Sequence, residues 1–395
     1  MTALRILFLK QSQSWPRASG HDVHGYHMMQ ALAARGHAIS LATIIPPKDE
    51  ALAGLTLQAL YSIGGAATEA ETRPTFTRWQ RRFLDYFGVE EAWTAALAAV
   101  LAKHEFDAVI AVARHLLPLL SVVPSGTRIW YPADDPAWHH VSRMKLLQPG
   151  TWGEAKRALA NGLYERAFRR NVDRVWVVSP ADRRAMRLIT GREVDLIPNG
   201  VDADYYAPRP GETLPNTCVF WGRLDFGPNL DALAGFLRRV WPTVRRNHPA
   251  AMFHVFGFNP TPAVRELARS PGVELFPDLP DLRGEVTRRQ AVVLPFVSGG
   301  GIKNKLLEAA AMGLPIVCTR QALSGTKGQP AVRVARSPAD FSRALGDLWR
   351  DASSRAALGA AARSWVLANH TWAAAAITAE SAIRAGSVSD GSTTE

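Results

Sequence analysis

Between Ser298 and Thr319 the chain reads SGGGIKNKLLEAAAMGLPIVCT, with more glycine and charge at its start than a packing helix has use for. Gly299, Gly300 and Gly301 leave the backbone free to turn, and Lys303 and Lys305 stand where the positive end of a helix dipole repels them. A helix N-terminus carries unpaired amide donors and about half a positive charge. Two lysines at that place make sense beside an anion of higher charge, a diphosphate above all. A helix starting near Ile302 and ending by Gly313 puts Asn304, Lys305 and Glu308 on one face, with Gly301 a turn earlier, while Leu306, Leu307 and the alanines supply the packing side. The plainer alternative is a solvated face with a Lys305 to Glu308 pair, which leaves the triple glycine without a purpose.

Four other stretches hold residues with chemistry in them. VFWGRLDFGPN sets Arg223 directly after an apolar run and Gly222, where a guanidinium either forks two phosphate oxygens or sits on a surface loop. SWPRASGHDVHGYHMMQALAARGH places Gly20 and Gly25 before a helix ending at Gly36, allowing close approach of a ligand or only a tight turn. His21, His24 and His27 recur there at three-residue spacing, but with no cysteine and no carboxylate beyond Asp22 they are a poor metal set. YPADDPAWHH brings Asp134, Asp135, His139 and His140 behind a strand, suited to acid or base work or to a turn and a helix cap. RPTFTRWQRRFLDYFG interleaves Arg78, Arg81 and Arg82 with Trp79, Phe83, Tyr86 and Phe87. That is either a basic helix over the core or a segment whose aromatics enter a lipid headgroup layer.

Such loops need a scaffold, and the sequence supplies one twice. RILFL, AISLAT, DAVIAVA, TRIWYPAD, RVWVVS and VDLIPNGV are apolar runs each followed by a helical pattern; TCVFWGRL, AMFHVFGF, VELFPD, AVVLPFV, PIVCTR and AVRVAR form a second series. Continuous apolar strands alternating with helices mean parallel sheets covered on both faces, hence two doubly wound α/β domains. Ligands of such sheets sit at the carboxyl ends of the strands, where all of the stretches above but RPTFTRWQRRFLDYFG fall. The proline and glycine cluster at 198–216 marks the boundary. The expected organisation is a domain over 1–205, a second over 206–370, a helix over 371–385 returning to the first domain, and a flexible tail over 386–395.

Composition narrows the class. A chain of 395 residues is longer than one core supports, and a hydrophobic share of 47% with 21% charged residues is that of a folded protein. The net charge of +11 is spread over both halves without a basic tail or block, which suits anionic small molecules or a lipid surface and gives no reason to expect nucleic acid. Two cysteines, Cys218 and Cys318, each inside an apolar run, exclude a disulfide framework. The apolar start is too short for a signal peptide, and AVIAVARHLLPLLSVV is broken by Arg114 and His115, short of the roughly 20 apolar residues of a membrane helix. A cytoplasmic protein is expected, with residues 78–87 as the place where it could contact the inner face of the cell membrane.

LIPNGVDADYYAP, GGGIKNKLLEAAAMGLPIVCT and VFWGRLDFGPNLDALAGFLRRVWPTVRRNHPAAMFHVFG together resemble the retaining glycosyltransferases of family 4, in the branch that assembles exopolysaccharide and related envelope glycans. The resemblance covers nearly the whole chain and is strongest from Val194 onward. It implies the GT-B fold, an α/β architecture of two facing Rossmann-like doubly wound parallel-sheet domains. It implies transfer of a hexosyl unit, with retention, from a nucleotide diphosphate sugar to a glycan, lipid-linked or other acceptor, with no cofactor and no metal. By position, Arg223 would hold the diphosphate and Glu308 the ribose. Gly300, Gly301, Ile302, Lys303, Asn304 and Lys305 would cradle the donor, and the loop around Gly20 would approach its phosphates or the acceptor. Residues 277–281 would flank the base, with Asp134 and Asp135 on the acceptor side. Two family positions differ: a glutamate that contacts the sugar falls at Gly300, and a lysine after the arginine falls near Pro228, so Lys303 or Lys305 must supply that charge. A nucleotide-sugar epimerase or hydrolase on the same fold, and a non-catalytic binding protein with a basic surface, are the competing readings.

Overall fold

The computed structural model describes residues 2–15, 20–65, 76–132, 141, 151–209, 211–299 and 301–389. The chain divides into two compact units: residues up to Pro198 together with those from Trp372, and Asn199–Thr371.

The first unit is built on a seven-stranded sheet in the order β3-β2-β1-β4-β5-β6-β7, every pair parallel. Its strands are β1 (Arg5–Lys10), β2 (Ala38–Thr43), β3 (Ala59–Ser62), β4 (Ala108–Val112), β5 (Thr127–Tyr131), β6 (Arg174–Val177) and β7 (Glu193–Leu196). Central strands read as unbroken apolar runs because helices cover both faces; β4 is buried at all five positions. The strand without a counterpart in the sequence reading is β3, ALYS, whose alternating exposure is that of a sheet edge.

Trp372–Ser389 is a helix of this first unit, entering its core through Trp372, Ala375, Ala376, Ala379, Ala382 and Ile383 beside Ile6, Phe8 and Ile39. The expected tail from Gly386 is corrected as far as Ser389. The helix runs on through Ser389, and Gly386 packs against Thr127 so closely that a Cβ would lie 2.3 Å from its methyl.

A charged clamp holds this helix to the helix Gly20–Ala34 and the turn after it. Glu380 is buried and accepts from Arg35 Nη2 at 2.5 Å and from Arg384 Nη2 at 2.8 Å, with His37 Nε2 at 3.3 Å. Arg35 first, then Arg384 and His37, hold its carboxyl down at about 2, against the opposing effect of desolvation. A depressed carboxyl stabilises the fold fully above its ordinary pKa of 4.5, and that contribution is lost as pH falls from there toward about 2. Melting temperature followed from neutral to acid pH should therefore fall more steeply in the native chain than in Glu380→Gln. Parallel profiles would show the clamp contributes nothing to acid stability.

The second unit has a six-stranded parallel sheet in the order β10-β9-β8-β11-β12-β13. These strands are β8 (Leu214–Trp221), β9 (Met252–Gly257), β10 (Val273–Pro277), β11 (Arg289–Leu294), β12 (Ile316–Cys318) and β13 (Arg333–Val334). Its core joins Val219, Phe220, Val292 and Val293 to the helix residues Leu306, Leu307 and Ala309, with Cys218 and Cys318 buried as free thiols.

The segment 199–205, assigned to the first domain by the sequence reading, lies in this second unit. Local bonds put it there: Val201 N donates to His370 O at 2.9 Å, and Val201 bridges Thr371. Among the described residues no helix is long and apolar enough to cross a membrane.

Candidate active site

In the second sheet the strand order reverses between β8 and β11, and a parallel sheet opens a crevice at the carboxyl ends of the two strands flanking such a reversal. The loop leaving β8 is Gly222–Phe226, and the loop leaving β11 runs through Gly299 and Gly301 into the helix Asn304–Ala311. The two stretches singled out by their glycines and cations thus meet through sheet topology.

Lys305 joins them. Its Nζ donates to Asn229 Oδ1 at 3.2 Å and lies 5.6 Å from the ring centre of Phe220 and 5.9 Å from that of Phe296. The ammonium stands directly over Gly222, where a Cβ would sit 2.4 Å from Lys305 Cε and 2.5 Å from Nζ. Gly222 also has φ 141°, a conformation that side chains resist, so glycine is required there twice over. Burial lowers the Lys305 pKa, opposed by Glu308; burial raises that of Glu308, opposed by Trp221 and Lys305. A half-buried cation with one amide oxygen and two ring faces around it is short of negative partners, and an incoming polyanion would meet that deficit.

Lys303 is used differently. Its Nζ donates to Gly299 O at 2.8 Å and reaches Gly301 O at 3.4 Å, while Gln321 Nε2 donates to Gly299 O at 2.9 Å. The positive φ of Gly299 (92°) and Gly301 (66°) turns these carbonyls inward, and the lysine braces the turn it follows. The helix begins at Asn304, with Lys303 extended at φ −86° and ψ 104°, two residues later than the expected start near Ile302. Ile302 is buried in the core.

Glu308 and Asn304 are each held by a residue the sequence reading passed over. Trp221 Nε1 donates to Glu308 Oε2 at 2.7 Å, and Glu308 in turn helps burial push the Tyr206 phenol up. Asn304 Oδ1 accepts from Asn199 Nδ2 at 2.8 Å, and Asn199 O contacts His370 Nδ1 at 3.1 Å. Asn199 belongs to the PNGVD turn, read from sequence only as a boundary and a family signature. Trp221 and Asn229 flank Gly222 and Arg223 and were legible only as strand end and helix start.

Arg223 forms a bidentate pair with Asp225, Nε to Oδ1 at 3.0 Å and Nη2 to Oδ2 at 2.9 Å, and holds the Asp225 carboxyl below its ordinary range. Its backbone carbonyl accepts from Asn229 Nδ2 at 2.7 Å, so the same asparagine ties Arg223 to Lys305. Gly300, Asp134 and Asp135 lie outside the described residues, as do His139 and His140.

In the first unit Gly20 opens the helix Gly20–Ala34, and Gly25 lies within that helix rather than before it. A Cβ on Gly25 would stand 3.0 Å from Lys10 Nζ, the buried ammonium at the end of β1 that bonds Gln13 Oε1 at 2.6 Å and Asp22 Oδ1 at 3.2 Å. His24 stacks on Tyr131 at 4.0 Å and His27 on Trp372 at 5.2 Å, so these two histidines pack rather than ligate. Among the described residues no three His, Cys, Asp or Glu side chains are grouped to hold a metal ion. In the segment 78–87 Phe83 and Leu84 are buried while Trp79 and Tyr86 point to solvent.

Two family models match. The one described as Glycosyltransferase Family 4 covers residues 18–205, and the one described as Glycosyl transferases group 1 covers 215–351. Among curated proteins none matches the sequence. The chain resembles HepE of Anabaena, solved in complex with UDP and glucose, with TM-score 0.66 at 12% identity over 96% of this chain and 99% of that one. It resembles sucrose-phosphate synthase of Thermosynechococcus elongatus, with TM-score 0.67 at 15% identity over 96% and 98%. It also resembles WaaG, a glycosyltransferase involved in lipopolysaccharide biosynthesis, with TM-score 0.62 at 16% identity over 96% and 99%. At such identities these likenesses show the fold.

Proposed function

For a chain that belongs to glycosyltransferase family 4 and has the GT-B fold, we propose transfer of a hexosyl unit from a nucleotide diphosphate sugar to a glycan or lipid-linked acceptor, with retention at the anomeric carbon, in polysaccharide or glycoconjugate synthesis. The observation that carries this reading is Lys305, an ammonium over Gly222 at the reversal of the strand order with too few negative partners of its own. HepE, which binds UDP and UDP-glucose on the same fold, supports a uridine nucleotide as the first donor to try.

In the proposed reaction the bond from the anomeric carbon to the diphosphate breaks, and negative charge collects on the leaving oxygens. Lys305 and the amides at the start of the helix Asn304–Ala311 stabilise that charge without reorganising. Protein cations take the place of a metal in this scheme. The acceptor hydroxyl attacks from the face the diphosphate leaves, and its proton passes to a departing phosphate oxygen. Glu308, oriented by the Trp221 indole, accepts from the ribose hydroxyls. Arg223 exchanges Asp225 for a phosphate oxygen, while Lys303 stays on the Gly299 and Gly301 carbonyls and holds the turn that presents the helix amides. Asp134 and Asp135 are assigned to the acceptor side, and residues 78–87 to contact with the membrane carrying a lipid-linked acceptor.

Thermal denaturation against UDP, GDP and their sugars, with EDTA present, tests the donor half. A rise in melting temperature with one nucleotide is expected. No rise with any of them would remove the donor site. Donor turnover that needs no acceptor would instead favour a hydrolase or epimerase.

A further inference from the structure

The helix Thr151–Phe168 enters the core of the first unit through Tyr164, Glu165 and Phe168, and Gln80 of the helix Arg78–Phe87 donates to its Ala167 carbonyl at 3.0 Å. Its outer side carries large apolar side chains among cations. Trp152 is 84% exposed, Leu159 64% and Leu163 39%. Lys156, Arg166 and Arg170 are exposed as well. From 152 to 170 these six positions step by four, three, four, three and four, so they form one stripe along the helix and the turn Arg169–Asn171 that continues it. The stripe holds no acid: Glu165 is buried, and Glu154 lies off it, paired with Arg157 at 3.3 Å.

The neighbouring helix repeats the composition. Trp79, Arg82 and Tyr86 step by three and four along its solvent side, with Trp79 52% and Tyr86 64% exposed. Large exposed apolar side chains grouped in this way mark an interaction surface. The cations alternating with them select its partner, because tryptophan and leucine enter the boundary of a bilayer while lysine and arginine meet anionic headgroups.

We propose that the stripe Trp152, Lys156, Leu159, Leu163, Arg166, Arg170 docks this protein on an anionic lipid surface. The helix lies in the plane of the interface, a mode open to a short helix that cannot span a bilayer. The proposal extends the membrane contact assigned above to residues 78–87 and shares no residue with the proposed donor site, so vesicle binding and nucleotide binding can fail one without the other.

Flotation of the full chain with phosphatidylcholine vesicles and with vesicles rich in phosphatidylglycerol tests it. Binding is expected to the anionic vesicles alone and to weaken as salt is raised. Trp152→Glu with Leu159→Glu, and separately Arg166→Glu with Arg170→Glu, should each lower the bound fraction by about tenfold or more. Circular dichroism melting checks the fold of each variant, and Trp152→Ser with Leu159→Ser serves if the first pair melts early. Failure of the native chain to float with anionic vesicles overturns the proposal, as does unchanged binding by folded variants. So does a dimer in sedimentation, without vesicle binding, that the Trp152 and Leu159 substitutions dissolve; the stripe would then join two copies of the chain.

Discussion

Lys305→Met is expected to lower kcat/KM for the nucleotide-sugar donor by about two orders of magnitude, near 3 kcal/mol of transition-state stabilisation, as for loss of one preorganised donor to a developing oxyanion. Methionine keeps the length and most of the volume of the side chain over Phe220 and Phe296, so the loss reports the charge. Lys303→Ala provides the contrast. Its ammonium braces the Gly299 and Gly301 carbonyls, and its removal loosens a turn that Gln321 also holds. A smaller loss of about tenfold is expected there, the low end of what a single hydrogen bond from a charged group contributes. Steady-state kinetics with the donor found by thermal denaturation decide between them. Equal losses in the two variants, or a larger loss at Lys303, would mean that the leaving phosphates lie against the turn and away from Gly222.

Gly257→Ala should damage the fold and the site together. Gly257 ends β9, and its φ lies outside the left-handed region, so alanine suits the backbone; the obstacle is space. A Cβ there would lie 1.9 Å from the Gly222 carbonyl oxygen and 2.8 Å from Leu224 Cγ, and the nearer atom is backbone that cannot rotate away. The loop carrying Gly222 and Arg223 must shift. Overpacking of this kind costs about 1–3 kcal/mol. For a unit of this size that corresponds to a fall of roughly 3–10 °C in melting temperature. Nucleotide affinity should fall as well, because Gly222 sets the floor under Lys305. Gly211→Ala is the control, since nothing stands within 4 Å of a Cβ at that position. A Gly257→Ala protein that melts and binds like the Gly211→Ala protein would show that the contact relaxes at no cost.

The amino-acid sequence by itself determined the architecture and singled out the stretches from which the candidate donor site is proposed. Twelve apolar runs followed by helical patterns are enough to read two parallel sheets, because strands covered on both faces must be apolar throughout. The edge strand Ala59–Ser62 escaped that reading, since half of its side chains face solvent. The glycines and cations of 299–308 and of 222–223 stood out because propensity and dipole alone give an ordinary helix start or strand end no use for them.

Tertiary structure alone decided how those residues divide the work. Lys303 and Lys305 are alike at sequence level, but the helix starts at Asn304, which sends one ammonium back onto the glycine carbonyls and the other across to Gly222 and Asn229. Arg223 finds Asp225 two residues away, Asn304 finds Asn199 from the interdomain signature, and Glu308 finds the Trp221 indole. Hydrogen bonds act over about 3 Å and depend on which side of a helix or strand end a side chain leaves from. Composition and spacing cannot specify that, and packing does. The outward stripe of the helix Thr151–Phe168 is a case of the same kind: its three-and-four spacing is written in the chain, but only burial of the opposite side identifies it as the face left to meet a partner.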